Sequence, residues 1–158
     1  MSGEALPTLA TARLVLRPFR LEDAPTVQRL AGVREVAATT LTVPHPYPDG
    51  AAEAWIATHA GAWAERKVLT LAVTLREDGA LVGAVGLALV MADRRAELGY
   101  WIGVPWWNRG FATEASRALV DFGFLNNIVM LTIARASSSQ TGSPVAEWTS
   151  RSPAASHI

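Results

Sequence analysis

The stretch that decides the fold reads Ala96-Glu97-Leu98-Gly99-Tyr100-Trp101-Ile102-Gly103-Val104-Pro105 and continues into Trp106-Trp107-Asn108-Arg109-Gly110-Phe111-Ala112-Thr113-Glu114-Ala115. Its first half alternates between two sides, with Leu98, Tyr100 and Ile102 on one side and Glu97, Gly99 and Trp101 on the other. This period of two predicts a β-strand, which Pro105 ends.

A helix is predicted to begin near Gly110, because apolar residues then recur on one helical face at Ala112, Ala115, Ala118, Leu119 and Phe122. The turn between strand and helix contains Arg109 and Gly110. Backbone N–H groups and the positive end of the dipole at a helix N-terminus favour anions. The pattern therefore indicates a phosphate-binding turn.

Composition limits the classes of protein that this chain can represent. It has 158 residues, of which half are hydrophobic, and equal numbers of acidic and basic residues, 14 of each. One globular domain is the simplest arrangement, and the balanced charge disfavours binding of nucleic acid. There is no cysteine, which removes thiol nucleophiles and disulfides. No signal peptide or membrane-spanning stretch is recognised, so we expect a cytoplasmic protein without a membrane partner.

The N-terminal half reads as a strand, two helices and a hairpin. Alternation over Arg13–Arg17 predicts the strand, and Asp23 and Asp49 are the expected N-caps of the two helices. Between the helices, the proline-rich segment 39–48 is expected to be a loop. Alternating leucines from Leu69, an Asp-Gly turn and a second apolar run up to Val90 predict an antiparallel hairpin.

The C-terminal part differs in composition from the rest. A β-branched run over 128–133 predicts a last strand, whose exposed edge makes a homodimer one hypothesis. From 136 to 158 the chain has seven serines and no sustained period. We therefore expect a mixed α/β domain over 1–135, followed by an atypical serine-rich tail over 136–158.

These residues resemble the GCN5-related N-acetyltransferase (GNAT) superfamily, and within it the branch that acetylates ribosomal protein N-termini and related amines. The resemblance is carried by Thr11–Phe19, Glu97–Ile102 and Trp107–Ala115. It implies an α+β fold in which helices flank a mostly antiparallel sheet. In the family's Gly motif, Trp107 stands where Gln or Arg is usual, and Gly110 and Ala112 match.

The resemblance implies acetyl-CoA as cosubstrate and no metal. Its pyrophosphate would bind the turn and helix start, namely Trp107, Asn108, Arg109, Gly110, Phe111, Ala112 and Thr113. The pantetheine arm would bind backbone groups of Tyr100, Trp101 and Ile102, on a strand that carries a bulge and splays from its neighbour. Without the resemblance, Arg109 can equally be a solvated arginine, and Tyr100 and Trp107 can simply pack.

The expected reaction is direct attack of an amine on the thioester. The resemblance places a glutamate beside the reacting centre, which makes Glu97 the candidate general base. The alternative for Glu97 is a solvated or ion-paired strand residue. For the acid that protonates the leaving thiolate the family uses a serine, and Ser143 is the candidate, in a segment that only faintly matches the family pattern.

The tail leaves two functions open. One is an N-acetyltransferase acting on a protein N-terminus or a small-molecule amine. The other is a CoA-binding protein with little or no transferase activity, because the family's last strands are not recognised after Trp148 and the chain is expected to be truncated or read in a shifted frame there. A nucleotide-phosphate enzyme is disfavoured, since no Gly-rich run ends in Lys-Ser or Lys-Thr.

Overall fold

A single mixed sheet forms the centre of the structure. The computed structural model describes residues 5–37, 45–126 and 131–134. Within them, a six-stranded sheet follows chain order: β1 Leu9–Ala10, β2 Leu14–Arg17, β3 Val68–Leu75, β4 Leu81–Val90, β5 Arg95–Ile102 and β6 Leu131–Ala134. The pairs from β1 to β5 are antiparallel, and β6 is parallel to β5. The predicted mixed α/β fold with a mostly antiparallel sheet is confirmed.

Helices cover both faces of this sheet. They are α1 Ala24–Ala31, α2 Arg34–Ala37, α3 Ala51–Ala57, α4 His59–Ala64 and α5 Phe111–Leu125. On one face, α5 packs its buried side chains Phe111, Ala115 and Leu119 against Leu98 and Ile102 of β5. On the other face, α1 and α3 bury Val27 and Ile56 with Trp101 of the same strand. Apolar residues on both sides therefore hold β5 in the middle layer.

The predicted β3–β4 hairpin is present, with its turn at Asp78 and Gly79, where Gly79 has a φ of 77°. The register shifts between Val73 and Thr74, so this ladder contains a bulge. Gly83 of β4 lies so close to β5 that an added Cβ would be 2.2 Å from the carbonyl oxygen of Trp101. Glycine is required there because the two strands approach closely.

Of the two predicted helix caps, the Asp23 position is confirmed and Asp49 is wrong. Asp23 is the N-cap residue of α1, but its carboxylate makes no cap hydrogen bond to that helix. It instead binds Arg17 through two bonds of 2.8 and 2.9 Å. Helix α3 begins after Gly50, while the Asp49 carboxylate accepts a bond from Gln28 at 2.8 Å. Both carboxylates therefore accept hydrogen bonds from other side chains, Arg17 and Gln28, rather than from the backbone at a helix start.

Several predictions fall on residues outside the described ranges. They are most of the loop predicted at 39–48, the start of the last strand, the domain boundary at 135 and the tail with Ser143. Residues 45–48, which are described, belong to neither a helix nor a strand. In the described part of the chain, no helix has the length and apolar character needed to cross a membrane.

Candidate cofactor and acceptor site

A tight turn connects β5 to α5. After Ile102 the chain forms one short 3-10 helix over 104–106 and then passes through two left-handed residues, Asn108 at φ 63° and Gly110 at φ 78°. Glycine adopts this conformation without a steric penalty, and asparagine tolerates it better than most residues. The turn sequence is thus suited to the sharp reversal that aims the start of α5.

The N-terminus of α5 is open to a ligand. Asn108, Arg109 and Gly110 are exposed, and Gly110, at the N-cap position, brings no side chain to cap the helix. The first helical hydrogen bond runs from the Glu114 N–H to the Gly110 carbonyl at 3.0 Å. The amides of Phe111, Ala112 and Thr113 come before it, at the positive end of a 15-residue helix. This arrangement suits an anion.

Trp107 fastens this turn to the strand. Its indole N–H donates to the Ile102 carbonyl oxygen at 2.6 Å, and its half-buried ring packs against both core clusters. The side chain predicted to contact the cofactor is therefore used inside the protein. The geometry suits Trp107 to holding the turn in place rather than to binding through its own N–H.

A second fastening comes from the connection between β1 and β2, which no local sequence pattern linked to the turn. Arg13 donates through Nε to the Glu114 carboxylate at 2.7 Å and through Nη1 to the Arg109 carbonyl at 2.8 Å. The Thr11 hydroxyl and the Arg13 backbone N–H donate to the other Glu114 oxygen. Burial tends to raise the pKa of Glu114, but these bonds and the Arg13 charge outweigh it and lower the pKa.

The orientation of the β5 backbone follows from one hydrogen bond. The Gly103 N–H donates to the Val82 carbonyl at 2.8 Å. Because antiparallel partners alternate between bonded and non-bonded pairs, the backbone groups of Trp101 point toward β4, and those of Tyr100 and Ile102 point to the opposite side. The ladder to β4 runs from Arg95 to Ile102 without a register shift, so the bulge expected in this strand is not found there.

In the described residues, the parallel strand β6 pairs with the first half of β5. Its ladder runs from the Arg95–Leu131 pair to the Leu98–Ala134 pair, whereas β5 continues to Ile102. The separation from the next strand that the resemblance implied concerns residues after Ala134, which lie outside the described ranges. Tyr100 and Ile102 lie in the part of β5 beyond this ladder.

Glu97 pairs with Ile133 of β6, one position before the last described pair of this ladder. It is half-buried and opposite Ala88 of β4 and Ile133 of β6. By the alternation of the strand it shares a face with Gly99 and Trp101, away from α5. Gly99 is exposed and faces Gly86. An added Cβ at Gly99 would meet no atom within 4 Å in the described part of the chain, so among those residues the face beside Glu97 is open.

The structure brings most of the predicted site residues onto one continuous segment. The predicted pyrophosphate ligands lie together at the turn and the start of α5, and β5 leads from Glu97 to that turn. Trp101 is buried against α1 and α3, so its side chain belongs to the core. Tyr100 packs its partly buried ring on the α5 side. Ser143 lies outside the described residues.

A central, mostly antiparallel sheet with one strand that leads through a tight turn into a helix is the arrangement expected of an acyltransferase that uses coenzyme A, and the family match agrees. The chain belongs to the family described as acetyltransferase (GNAT) domain, which matches residues 13–145. It is an acetyl-CoA-dependent acetyltransferase. The match includes Arg13, β2, the turn and α5, and it extends past Ser143 to residue 145.

Similar proteins agree with this assignment. An uncharacterised N-acetyltransferase of Bacillus licheniformis is 31% identical over 121 residues, which cover 75% of this chain and 67% of that protein. The crystal structure of the acetyltransferase from Agrobacterium tumefaciens matches with a TM-score of 0.69 and 25% identity, over 87% of this chain and 78% of that one. RimJ of Mycobacterium smegmatis, solved in complex with CoA-disulfide, shares the fold with a TM-score of 0.72 and 21% identity, over 86% and 70% of the two chains.

Proposed function

We propose that this protein transfers the acetyl group of acetyl-CoA directly to a primary amine, either the α-amino group of a protein N-terminus or a small-molecule amine. The observation that carries the proposal is the course of β5, which connects the anion-binding turn at one end with Glu97 on an open sheet face. At about 3.3 Å per residue, the strand covers about 17 Å from Glu97 to Ile102. An extended thioester arm lying along it would have its phosphates at the turn and its acetyl group near Glu97.

The pyrophosphate would bind at the N-terminus of α5. The backbone amides of Phe111, Ala112 and Thr113 would donate to phosphate oxygens, and the exposed side chains of Asn108 and Arg109 would add further donors. The left-handed φ of Gly110 directs these amides, and the lack of a side chain allows a phosphate to approach the backbone.

The pantetheine arm would lie along β5 from Ile102 past Tyr100, with its acetyl thioester directed toward Glu97. Backbone groups of Tyr100 and Ile102 point to the side of the strand away from β4, and we assign them to the pantetheine arm; the Ile102 carbonyl also accepts the Trp107 indole N–H. The backbone groups of Trp101 point toward β4, so Trp101 would line the arm without a hydrogen bond to it. A backbone N–H near the thioester carbonyl would stabilise the negative charge that develops on its oxygen. The attacking nitrogen forms the new amide bond, and the carbon–sulfur bond breaks to release the thiolate of coenzyme A.

Glu97 would accept the proton that the amine loses, directly or through one water molecule. A free α-amino group has a pKa of about 8, so a sizeable fraction is already neutral near pH 7.5, whereas a lysine side chain at about 10.4 is mostly charged. A single carboxylate is thus better matched to an α-amino acceptor. The proton needed by the leaving thiolate would come from Ser143 or from solvent.

An acceptor panel tests the proposal. Release of free thiol from acetyl-CoA is followed with peptides bearing a free N-terminus, the same peptides blocked at the N-terminus, and small amines. Thiol release that requires a free primary amine, with one acetyl group found on that amine by mass spectrometry, supports transfer. Stabilisation by coenzyme A without amine-dependent thiol release would instead support the alternative of a CoA-binding protein with little or no transferase activity.

The remaining partner prediction concerns self-association. In the described sheet β6 is the last strand, and its outer edge is where a second copy would add a strand. We keep a homodimer as a hypothesis, which light scattering at several protein concentrations would decide.

A further inference from the structure

A network of hydrogen bonds and ring contacts joins the connection between β1 and β2 to the start of α5. It consists of Arg13 and Thr11 on one side and Arg109, Phe111 and Glu114 on the other. We refer to these five residues as the brace. The sequence separation between Arg13 and Glu114 is 101 residues, so only the tertiary fold brings them together.

Arg13 contacts the turn in three directions. Its Nε donates to Glu114 at 2.7 Å, its Nη1 donates to the carbonyl of Arg109 at 2.8 Å, and its guanidinium carbon lies 4.5 Å from the centre of the Phe111 ring. Its Nη2 lies 3.4 Å from the place that a Cβ on Gly110 would occupy. The planar guanidinium thus fixes the residues immediately before and after Gly110, a combination of contacts that a lysine cannot reproduce.

The brace also solves an electrostatic problem of the site. A glutamate in the first turn stabilises a helix through the dipole, but its negative charge at that place repels a phosphate bound to the same helix end. In this structure the Glu114 carboxylate accepts hydrogen bonds from Arg13 Nε, the Arg13 backbone and the Thr11 hydroxyl. The Arg13 charge therefore balances that of Glu114 beside the proposed pyrophosphate site.

We propose that Arg13 is a positioning residue for acetyl-CoA, which holds the turn in its ligand-binding shape and neutralises Glu114. It acts through the backbone of Arg109 and Gly110 and through the Glu114 charge, without a contact to the acetyl group. This inference rests on the proposal that the turn binds the pyrophosphate, and the variants below separate the two.

The first experiment measures the dissociation constant of coenzyme A by calorimetry for Arg13→Met, Arg13→Lys and the parent protein. Loss of charged hydrogen bonds predicts a dissociation constant about 10 to 100 times higher for Arg13→Met. Arg13→Lys keeps the positive charge but cannot donate to Glu114 and to the Arg109 carbonyl in the same geometry. This variant should therefore recover only part of the affinity for coenzyme A. Arg76→Met is the matched control, since Arg76 is an arginine near the brace that donates to the Thr11 carbonyl at 3.1 Å. The Arg76→Met variant should bind coenzyme A with the affinity of the parent protein.

Charge compensation is tested by the double variant Arg13→Met/Glu114→Gln. If the unbalanced carboxylate repels the ligand, the double variant should bind coenzyme A several times more tightly than Arg13→Met alone. An equal or weaker affinity would overturn the electrostatic part of the inference. Thermal unfolding of each variant shows whether it is folded at the assay temperature, and Thr11→Val, which removes one donor to Glu114 and no charge, serves in place of Arg13→Met if that variant does not fold.

Steady-state kinetics distinguish a role of Arg13 in binding the pyrophosphate from a general loss of activity. With acetyl-CoA, Arg13→Met should raise KM while leaving the acceptor KM unchanged; with S-acetylpantetheine, which lacks the pyrophosphate, kcat/KM should equal that of the parent. An equal loss with both donors would overturn the inference. Gly110→Val tests the underlying site: weakened binding in Gly110→Val but not in Arg13→Met refutes the brace alone, and unchanged binding in both refutes the pyrophosphate site.

Discussion

The indole N–H of Trp107 donates to the backbone carbonyl oxygen of Ile102 at 2.6 Å. This bond joins the start of the turn between β5 and α5 to the last residue of β5. The strand proposed to hold the thioester arm and the turn proposed to hold the phosphates are therefore connected directly, by a side chain as well as by the main chain.

Replacing Trp107 with phenylalanine tests this connection. Trp107→Phe keeps an aromatic ring that packs on both clusters but removes the N–H, which leaves the Ile102 carbonyl without this donor. The expected cost is about 1 kcal/mol in the free energy of unfolding. Because the turn is then less firmly held, the KM for acetyl-CoA should also rise. Urea unfolding and steady-state kinetics measure the two effects.

The neighbouring variant Trp106→Phe is the control, since it makes the same chemical change one position earlier in the same turn. Trp106 is also partly buried and packs against both clusters. If both variants raise the KM for acetyl-CoA to the same extent, the effect comes from the loss of an indole ring in general, and the bond to Ile102 is not responsible.

Glu97→Gln tests the assignment of the general base. The amide has nearly the shape of the carboxylate but cannot accept a proton, so kcat at pH 7 should fall by about 100-fold or more. Raising the pH supplies more neutral amine, and the deficit should shrink toward pH 9 for an acceptor with a pKa of about 8. The dissociation constant of coenzyme A should not change. Glu53→Gln, at an exposed position on α3, is the control; a kcat deficit in Glu97→Gln that is constant with pH would contradict the assignment.

The sequence predicts those parts of the fold that depend on local pattern. Alternation from Leu69 to Leu75 and the Asp78-Gly79 turn place the hairpin correctly, because successive side chains of a strand point to opposite faces of the sheet and the leucines share one face. The division of β5 into a Leu98 side and a Trp101 side is confirmed by the two clusters in which these residues are buried. Helix α5 begins after Gly110, as its apolar period predicts.

Features that depend on distant partners are not predicted. The helix expected from Asp49 is interrupted at Thr58, whose hydroxyl donates to the Trp55 carbonyl at 2.6 Å; a threonine that bonds back to its own backbone favours a helix end. From the sequence, Glu114 is an ordinary acidic residue of a first helical turn; its bond to Arg13, 101 residues away, is visible only in the fold. The roles of the site residues stay predictions, because the sequence pattern indicates the strand, the turn and the helix start but not the contacts made with a ligand.

Because His59 is buried, we expect the free energy of unfolding to fall in acid. The ring is buried among aromatic side chains, with its centroid 4.4 Å from that of Trp55 and 5.4 Å from that of Phe19. Neither ring nitrogen has a hydrogen-bond partner among the described residues. Burial disfavours the charged form and lowers the pKa of His59 from 6.5 to about 4.

The sign of the effect follows from these pKa values. Below about pH 6.5 the unfolded chain binds a proton at His59, whereas the folded protein does not until about pH 4. The free energy of unfolding should therefore be highest above pH 6.5 and fall by up to about 3 kcal/mol between pH 6.5 and 4. Urea unfolding of the parent and of His59→Leu at pH 7, 5.5 and 4.5 measures this. The variant should lose clearly less stability over the range; the same loss in both proteins would assign the acid effect to other groups.

Two glycines on neighbouring strands predict opposite results for the same substitution. An added Cβ at Gly83 would lie 2.2 Å from the Trp101 carbonyl oxygen and 2.8 Å from Ile102 Cδ1, while at Gly99 it would meet no atom of the described residues within 4 Å. Gly83→Ala must push β4 and β5 apart, so it should cost about 1 to 3 kcal/mol in stability and weaken binding of coenzyme A.

Gly99→Ala should instead leave stability unchanged or raise it by about 0.5 kcal/mol, because alanine loses less conformational freedom on folding than glycine. Its effect should appear in the acceptor KM, since the new methyl group would stand on the open face beside Glu97, where the proposed amine has to approach. Chemical denaturation and kinetics with a fixed concentration of acetyl-CoA separate the two outcomes. A stability loss in Gly99→Ala as large as that in Gly83→Ala would mean that the face beside Glu97 is covered, and the acceptor would then have to reach the thioester from another direction.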